Sequence, residues 1–417
     1  MSGPRPVLVL NAGSTGLKAS LHSADGSRLW RGQRVWQDLD PAGALRSASV
    51  ARAPAGDQHG QEADSADGEA GDAGGSAGLT ERAGAELGRW LAAALGGVEP
   101  RLVGHRVVHG GGRFTEPTRL EPAVLAELQA VTPLAPLHNP PALALIRWAL
   151  QQWPSAPQWA CFDTAFHASL PPEAFTYAIP AEWRRQGLRR YGFHGLNHQH
   201  VAEVVTSLCS GARDQESIAA DLEAARREGP LRLISCHLGG GCSLCAIKGG
   251  RSIATTMGFT PLEGLVMASR SGSLDPGLLL HLLRGGMGPA ELEQGLQREG
   301  GLLGLSELSA SMEALRAAAA PPPQGEGHPG AQLAIAVFRR RLLEGIGAMA
   351  ACLGGVDVIA LSGGIGEHDQ ALLRELKEAL AWLGPLTLLV IPADEEGVIV
   401  RSCLTAEGRQ AEARPGA

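Results

Sequence analysis

One pattern occurs twice in this chain and limits its fold more than any other feature. "VLVLNAGSTGLKASL" runs four apolar residues into a turn rich in glycine and hydroxyls. It then alternates Leu17, Ala19 and Leu21 with Lys18 and Ser20. The first run reads as a short, fully buried strand, and the second, with its period of two, as another strand. "LRLISCHLGGGCSLCAIKGGRSIATT" repeats the design in the second half of the chain. A third strand, in "VIALSGGIGEHD", also ends in glycines and leads into a helix with Glu367 in its first turn. The repetition predicts an internal duplication: two related α/β domains, each presenting a Gly-rich turn at a strand end. Amides and hydroxyls at such turns can hold an anion. Facing one shared cleft, they would form a nucleotide-phosphate arrangement. The first turn alone stays open between an anion site and an ordinary hairpin, because it lacks the Gly-Lys-Ser/Thr of a Walker loop.

Other segments alternate between strand and helix. Leu87, Trp90, Leu91, Ala94 and Leu95 have helical spacing. Val103 to Val108 reads as a strand. Pro140 and Pro141 open a helix that runs through Trp153, proline being tolerated in a first turn. Trp159 to Phe162 is strand-like, Gln332 to Leu353 a long helix, and Val356 to Leu361 and Leu386 to Ile391 two more strands. The class is α/β. Pro54 to Gly78 contains no Leu, Ile, Val, Met, Phe, Tyr or Trp, so it cannot bury apolar surface and reads as a disordered insertion. Arg316 to Gln332 is a second low-complexity stretch, and Cys209 to Pro230 a charged helical excursion.

At 417 residues the chain can form two domains with real cores. Its net charge of −7, with no run of Lys or Arg, argues against a nucleic-acid partner. The N-terminal apolar run, Val7 to Leu10, is too short for a secretory signal, and no segment reaches membrane-spanning length. These features predict a soluble cytoplasmic protein with no membrane partner. Seven cysteines, an odd number in a long chain, argue against a disulfide framework. Cys242 and Cys245 form a CxxC with Cys236 nearby, but on an alternating strand positions i and i+3 point to opposite faces, which disfavours a metal site.

Several polar residues sit where chemistry would need them. "GHRVVHGGGRF" puts Arg106 and His109 at a strand end beside three glycines. "LEGLVMASRSGSLDP" puts Arg270 after a short helical run, in a Ser/Gly loop closed by Asp275-Pro276. Arginine suits planar anions such as carboxylate and phosphate, though each could equally be a solvated loop residue. "CFDTAFHASLP" places Asp163 where a buried strand ends, fit to hold a metal, orient a base or cap a turn. "RRYGFHGLNHQHV" holds His194, with His198 and His200 beyond it. A metal cluster there needs the helix to begin before Gly195, so a lone His194 donating to a phosphoryl charge is more economical. His138 lies in the Pro-rich loop "LAPLHNPPAL".

Taken in order, "VLVLNAGSTGLKASL", "GHRVVHGGGRF", "LAPLHNPPAL", "FDTAFHASLP", "RRYGFHG", "CHLGGGCS", "MGFTPLEGL", "RSGSLDP", "GGIGEH" and "VIPADEE" resemble the acetate kinase family over nearly the whole chain. That family belongs to the acetate and sugar kinase, Hsp70 and actin superfamily. The resemblance implies two duplicated actin-like (ribonuclease H-like) domains with a cleft between them. It implies reversible phosphoryl transfer from ATP to acetate, giving acetyl phosphate and ADP, with Mg²⁺ or in its place Mn²⁺. Arg106 and Arg270 would clamp the carboxylate and the transferring phosphoryl. His194 would donate to an equatorial oxygen, and Asp163 would orient acetate or act as its proton partner. Asn11 and Glu395 would hold the metal, directly or through water. Lys18 and His237, Leu238, Gly239, Gly240 and Gly241 would line the phosphate path. Gly363, Gly364, Ile365, Gly366 and Glu367 would flank adenosine. Val108, Leu137, Phe193 and Pro261, with His138 nearby, would enclose the acetate methyl group.

The sequence also departs from that family. Thr15 and Gly16 remove a hydroxyl from the opening turn. Gly240 replaces an asparagine, Leu196-Asn197 stands for Thr-Ser, and Ser273 replaces an aspartate. Ser311, Met312 and Glu313 occupy the nucleotide loop where Asp-x-Arg is usual, a change expected to weaken ATP binding or alter donor preference. Open alternatives are a propionate or butyrate kinase, a kinase using GTP or pyrophosphate, and a non-catalytic nucleotide-binding protein. The expected domains are 1–166 completed by 393–417, and 167–392, the second carrying nucleotide binding and a homodimer interface.

Overall fold

The computed structural model describes residues 5–13, 16–35, 86, 88–136, 138–209, 229–320 and 326–412. The insertion at 54–78, most of the charged excursion, and Ser14, Thr15, Leu87 and Leu137 lie outside them. The chain divides into two compact units: Met1–Phe162 with Glu396–Ala417, and Asp163–Glu395.

In the first unit, β1 (Val7–Ala12), β2 (Gly16–His22), β3 (Arg28–Val35), β4 (Leu102–Val107), β5 (Thr118–Arg119) and β6 (Gln158–Phe162) form one sheet in the order β3-β2-β1-β4-β6-β5. β1 runs antiparallel to β2 and parallel to β4. The alternation expected of β2 is present: Leu17, Ala19 and Leu21 join Leu8, Leu10 and Ala12 in one core, while Lys18 is exposed. Leu91 and Leu95 of the helical stretch 88–95 cover that face, with Leu145 and Ala149 of the Asn139–Gln152 helix. Gly104 of β4 faces the C-terminal helix Glu395–Glu412. An added Cβ would lie 2.6 Å from the Ile399 side chain and 3.1 Å from Cys403 Sγ, so the helix packs this close only against glycine.

In the second unit, β7 (Arg232–Leu238), β8 (Cys242–Lys248), β9 (Arg251–Thr255), β10 (Val358–Ser362) and β11 (Thr387–Val390) are ordered β11-β10-β7-β8-β9. β7, β8 and β9 form an antiparallel meander, and β10 and β11 continue from β7 in parallel. The first sheet has the same core, with β1, β2 and β3 as meander and β4 and β6 as parallel strands. The duplication read from the sequence is therefore a duplication of sheet order. Val201 and Val205 of the Gly195–Cys209 helix pack on Leu233, Cys245, Val358 and Ala360. No helix among the described residues is long and apolar enough to cross a membrane.

The low-complexity stretch from Arg316 carries helix at both ends: its alanines close a Met312–Ala319 helix, and Pro329 opens a helix reaching Leu353. Alanine has the strongest intrinsic helix preference, which composition alone hides. Two sequence expectations need correction. No helix precedes Arg270, because residues 256–275 carry none. Arg190 holds that segment instead, donating to the carbonyls of Thr256 and Met257 and pairing with Glu263. Glu367 is not in a first turn but near the end of the Gly363–His368 helix.

Candidate active site

In the first unit, sheet register assembles the polar group. Asn11 pairs across the sheet with Lys18 on β2 and with Arg106 on β4. Residues level with one another on neighbouring strands share a face, and Arg106 Nη1 donates to Asn11 Oδ1 at 3.0 Å. Beyond β4, Val108 and His109 are buried. The His109 N–H donates to Asn139 Oδ1 at 3.1 Å, and Asn139 Nδ2 donates back to the His109 carbonyl at 3.0 Å. The loop after Arg106 is thereby tied to the helix that His138 precedes. Gly111 donates to His109 Nδ1, and burial lowers the His109 pKa to about 4, so the ring is neutral.

In the second unit, His194 stands just before the Gly195–Cys209 helix with φ +56°. The Gly195 N–H donates to the Asp163 carbonyl at 2.8 Å. A Cβ on Gly195 would come within 2.1 Å of that oxygen, so only glycine lets Asp163 and His194 lie this close in space. Asp163 itself is buried. His167 pins the neighbouring carbonyl: its Nε2 lies 3.0 Å from Phe193 O, and its Nδ1 lies 2.9 Å from Ser252 Oγ. Burial drops its pKa to about 4. His194 Nδ1 meets Ser243 Oγ at 2.9 Å, and its ring lies 4.3 Å from that of His237, centroid to centroid. Arg270 Nη1 donates to Pro261 O at 3.2 Å. Gly241 lies between His194 and Arg270: a Cβ there would be 3.1 Å from His194 Nε2 and 3.6 Å from Arg270 Nη1. The fold therefore brings His194, His237, Gly241, Arg270 and Pro261 together.

The remaining predicted residues divide. Register sets His237 of β7 level with Ser362 of β10. A Cβ on Gly239 would be 3.7 Å from the Gly364 nitrogen, so the Gly239–Gly241 and Gly363–Gly366 turns adjoin, with Leu238 buried beneath them and Ile365 beside them. Glu367 accepts from Gly363 N–H at 2.8 Å and Ala393 N–H at 2.9 Å, so its carboxylate braces the turn. Ser311 caps the Met312–Ala319 helix, Met312 is buried, and Glu313 is exposed in its first turn. The nearest arginine along that helix, Arg316, pairs with Asp369 and Glu375. Glu395 opens the C-terminal helix. Cys242 and Cys245 are fully buried, and burial pushes both thiols up to about 12, which disfavours the thiolate a metal needs.

Sequence reasoning missed Asn139, His167, Ser235 and Ser243, and left His198 outside the chemistry. Only His198 carried a local signal, four residues after His194. The others act through register and loop contacts that no spacing reveals.

Two sheets of one order, glycine turns at their strand ends, and arginine and histidine gathered beside such a turn define a phosphoryl-transferring α/β protein. The chain belongs to the acetokinase family, whose profile matches residues 6–389. An acetate kinase of a Synechococcus species is 41% identical over 429 residues, covering 95% of this chain and 98% of the relative. One from Deinococcus radiodurans is 46% identical over 286 residues, covering 68% and 67%. Among solved structures, the acetate kinase of Porphyromonas gingivalis is similar with a TM-score of 0.75 at 27% identity, covering 96% and 99%. A propionate kinase from Francisella tularensis gives 0.74 at 27%, covering 95% and 98%.

Proposed function

We propose that this chain is an acetate kinase, transferring a phosphoryl group reversibly between ATP and acetate. The observation that carries the reading is kinship along the full length of acetate kinases, as at 95% and 98% coverage. The grouping of His194, Gly241 and Arg270 supports it. An acetate oxygen attacks the γ-phosphorus, the bond to the β–γ bridging oxygen breaks, and its electron pair leaves with ADP. Acetate is already an anion, so little base catalysis is required. The difficulty is joining two anions and neutralising three equatorial oxygens, work that suits positioned cations and donors.

Arg106 and Arg270 supply that charge, and His194 donates to an equatorial oxygen. Asp163 orients acetate, while Val108, Leu137, Phe193 and Pro261, with His138, wall the methyl group. Lys18 and His237–Gly241 follow the phosphates. Gly363–Gly366 flank adenosine, with Glu367 bracing their turn. Asn11 and Glu395 fit Mg²⁺ by donor chemistry: both offer the hard oxygens that this cation takes. Mg²⁺ retains waters and phosphate oxygens, so few protein ligands suffice. Bound there, it supplies neutralisation of the β- and γ-phosphate oxygens. The second unit carries nucleotide binding and a homodimer interface. Leu274, Leu278, Leu280 and Leu283 are 42%, 43%, 50% and 39% exposed, the last three on a helix with no buried residue, and they suit burial against a second copy. Seven free thiols fit a cytoplasmic setting.

The test is initial-rate measurement with acetate, propionate and butyrate, each with ATP, GTP and pyrophosphate. Acetate with ATP should give the highest kcat/KM. Turnover confined to another donor would relocate the effect to the Ser311–Glu313 change. No turnover with any pair would overturn the reading in favour of a non-catalytic nucleotide-binding protein.

A further inference from the structure

Four side chains of the second unit form an unbroken series. Ser235 Oγ lies 2.8 Å from His198 Nδ1, His198 Nε2 lies 2.9 Å from Ser243 Oγ, and Ser243 Oγ lies 2.9 Å from His194 Nδ1. Ser235, His198 and Ser243 are wholly buried. The series crosses three elements, β7, β8 and the Gly195–Cys209 helix, and ends on the His194 ring beside Gly241.

Counting hydrogens gives the series a direction. A hydroxyl has one hydrogen to donate, and a neutral imidazole has one N–H. Among the described residues, His198 is the side-chain partner of Ser235. If Ser235 donates to His198 Nδ1, then His198 carries its hydrogen on Nε2 and donates to Ser243. The Ser243 hydrogen then goes to His194 Nδ1, and His194 carries its own hydrogen on Nε2. The one hydrogen left over, on His194 Nε2, sits at the partly exposed end of the series. The reverse direction buries the Ser235 hydrogen with no acceptor along the series, which is the costlier arrangement. Burial, with His167 and His237 nearby, holds His198 well below its ordinary pKa and hence neutral, as the count requires.

We propose that Ser243, backed by His198 and Ser235, is a positioning residue that fixes His194 as a neutral Nε2–H donor toward the transferring phosphoryl group. The proposal deepens the kinase reading and rests on it for the identity of the acceptor. A comparable device operates wherever a buried partner sets the tautomer of a catalytic imidazole. It lets His194 donate without becoming an imidazolium. The groups around His194 are His237 on β7, Arg270 across Gly241, His198 with His167 and Cys245 behind it, and Asp163 through its carbonyl at Gly195.

The tautomer can be read directly in the full-length wild-type protein by ¹⁵N NMR of its histidines at pH 8. His194 should show a protonated Nε2 and a bare Nδ1; the opposite pattern overturns the proposal, and no variant is needed. Ser243→Ala should lower kcat at least ~10-fold, as loss of an orienting partner does, with both KM values within about twofold. Ser235→Ala, at the far end, should act in the same direction and more weakly, and serves if Ser243→Ala fails to fold. In a His194→Ala background, Ser243→Ala should cost nothing further. Wild-type kcat in Ser243→Ala, or a fully additive double variant, overturns the relay. Absence of all phosphoryl transfer in the wild type would instead overturn the kinase reading, with the NMR result still deciding the tautomer.

Discussion

Arg270 shows how a single residue is made fit for an anion. Its guanidinium donates to the Pro261 carbonyl and lies beside Gly241, where the absence of a side chain keeps the approach from His194 open. If its charge offsets the equatorial oxygens, Arg270→Ala should lower kcat at least ~10²-fold, by analogy with single donors at such sites. Steady-state rates at saturating acetate and ATP check this, and unchanged turnover would remove Arg270 from the chemistry. At this scale the sequence singled out Arg106 and Asp163 by the end of a strand and His194 by the glycine after it. It was silent where function depends on a partner across the sheet. Ser243 stands level with His237 through β7–β8 register, and nothing local to "GGGCSLCAI" announces that. Asn139 was hidden by its neighbour: His138 drew attention, while Asn139 makes both hydrogen bonds to the His109 backbone.

At the scale of elements, the strands were legible because apolar runs between glycine turns have few other uses. The duplication was legible because both sheets carry the same order. The segment before Arg270 was misread as helical, since its apolar spacing is overridden by Arg190, Glu263 and Tyr177, which hold the chain in turns and bends around Pro261. β7 and β10 are fastened at the ends away from their glycine turns. Arg232 grips both carboxylate oxygens of Asp357, and the Arg232 N–H donates to the same group. Asp357 is 1% exposed. Asp357→Ala removes these charged hydrogen bonds and leaves the partly exposed Arg232 without them, so it should cost about 1.5–3 kcal/mol. Urea unfolding checks the value, and a loss within about 0.5 kcal/mol, typical of surface changes, would show the clamp to be dispensable.

For the whole molecule, acid should be the sensitive direction. Burial lowers His105, His109 and His167 from 6.5 to about 4. Above pH ~6.5 neither the folded nor the unfolded chain protonates them, so they leave stability unchanged. As pH falls from ~6.5 toward ~4, the unfolded chain binds protons that the fold excludes. Stability should then drop by up to about 1.4 kcal/mol per pH unit for each group, flattening below their folded pKa. Urea midpoints from pH 8 to 4.5 test this, and a flat profile would contradict the burial of these rings. Assembly is the second property of this scale. Light scattering should give twice the chain mass, and Leu280→Glu should shift it toward one, whereas a monomeric wild type would leave the exposed leucines unexplained. The sequence showed the acidic balance, but not that the Pro276–Arg284 helix would bury none of its residues within its own chain.

The most direct test of the central claim runs the reaction backwards. Purified protein mixed with acetyl phosphate, ADP and Mg²⁺ is followed by ³¹P NMR. The account predicts that acetyl phosphate and ADP disappear together while ATP appears in equal amount, and that Arg270→Ala slows all three changes alike. Acetyl phosphate that persists, or that is lost to inorganic phosphate without ATP, would contradict it.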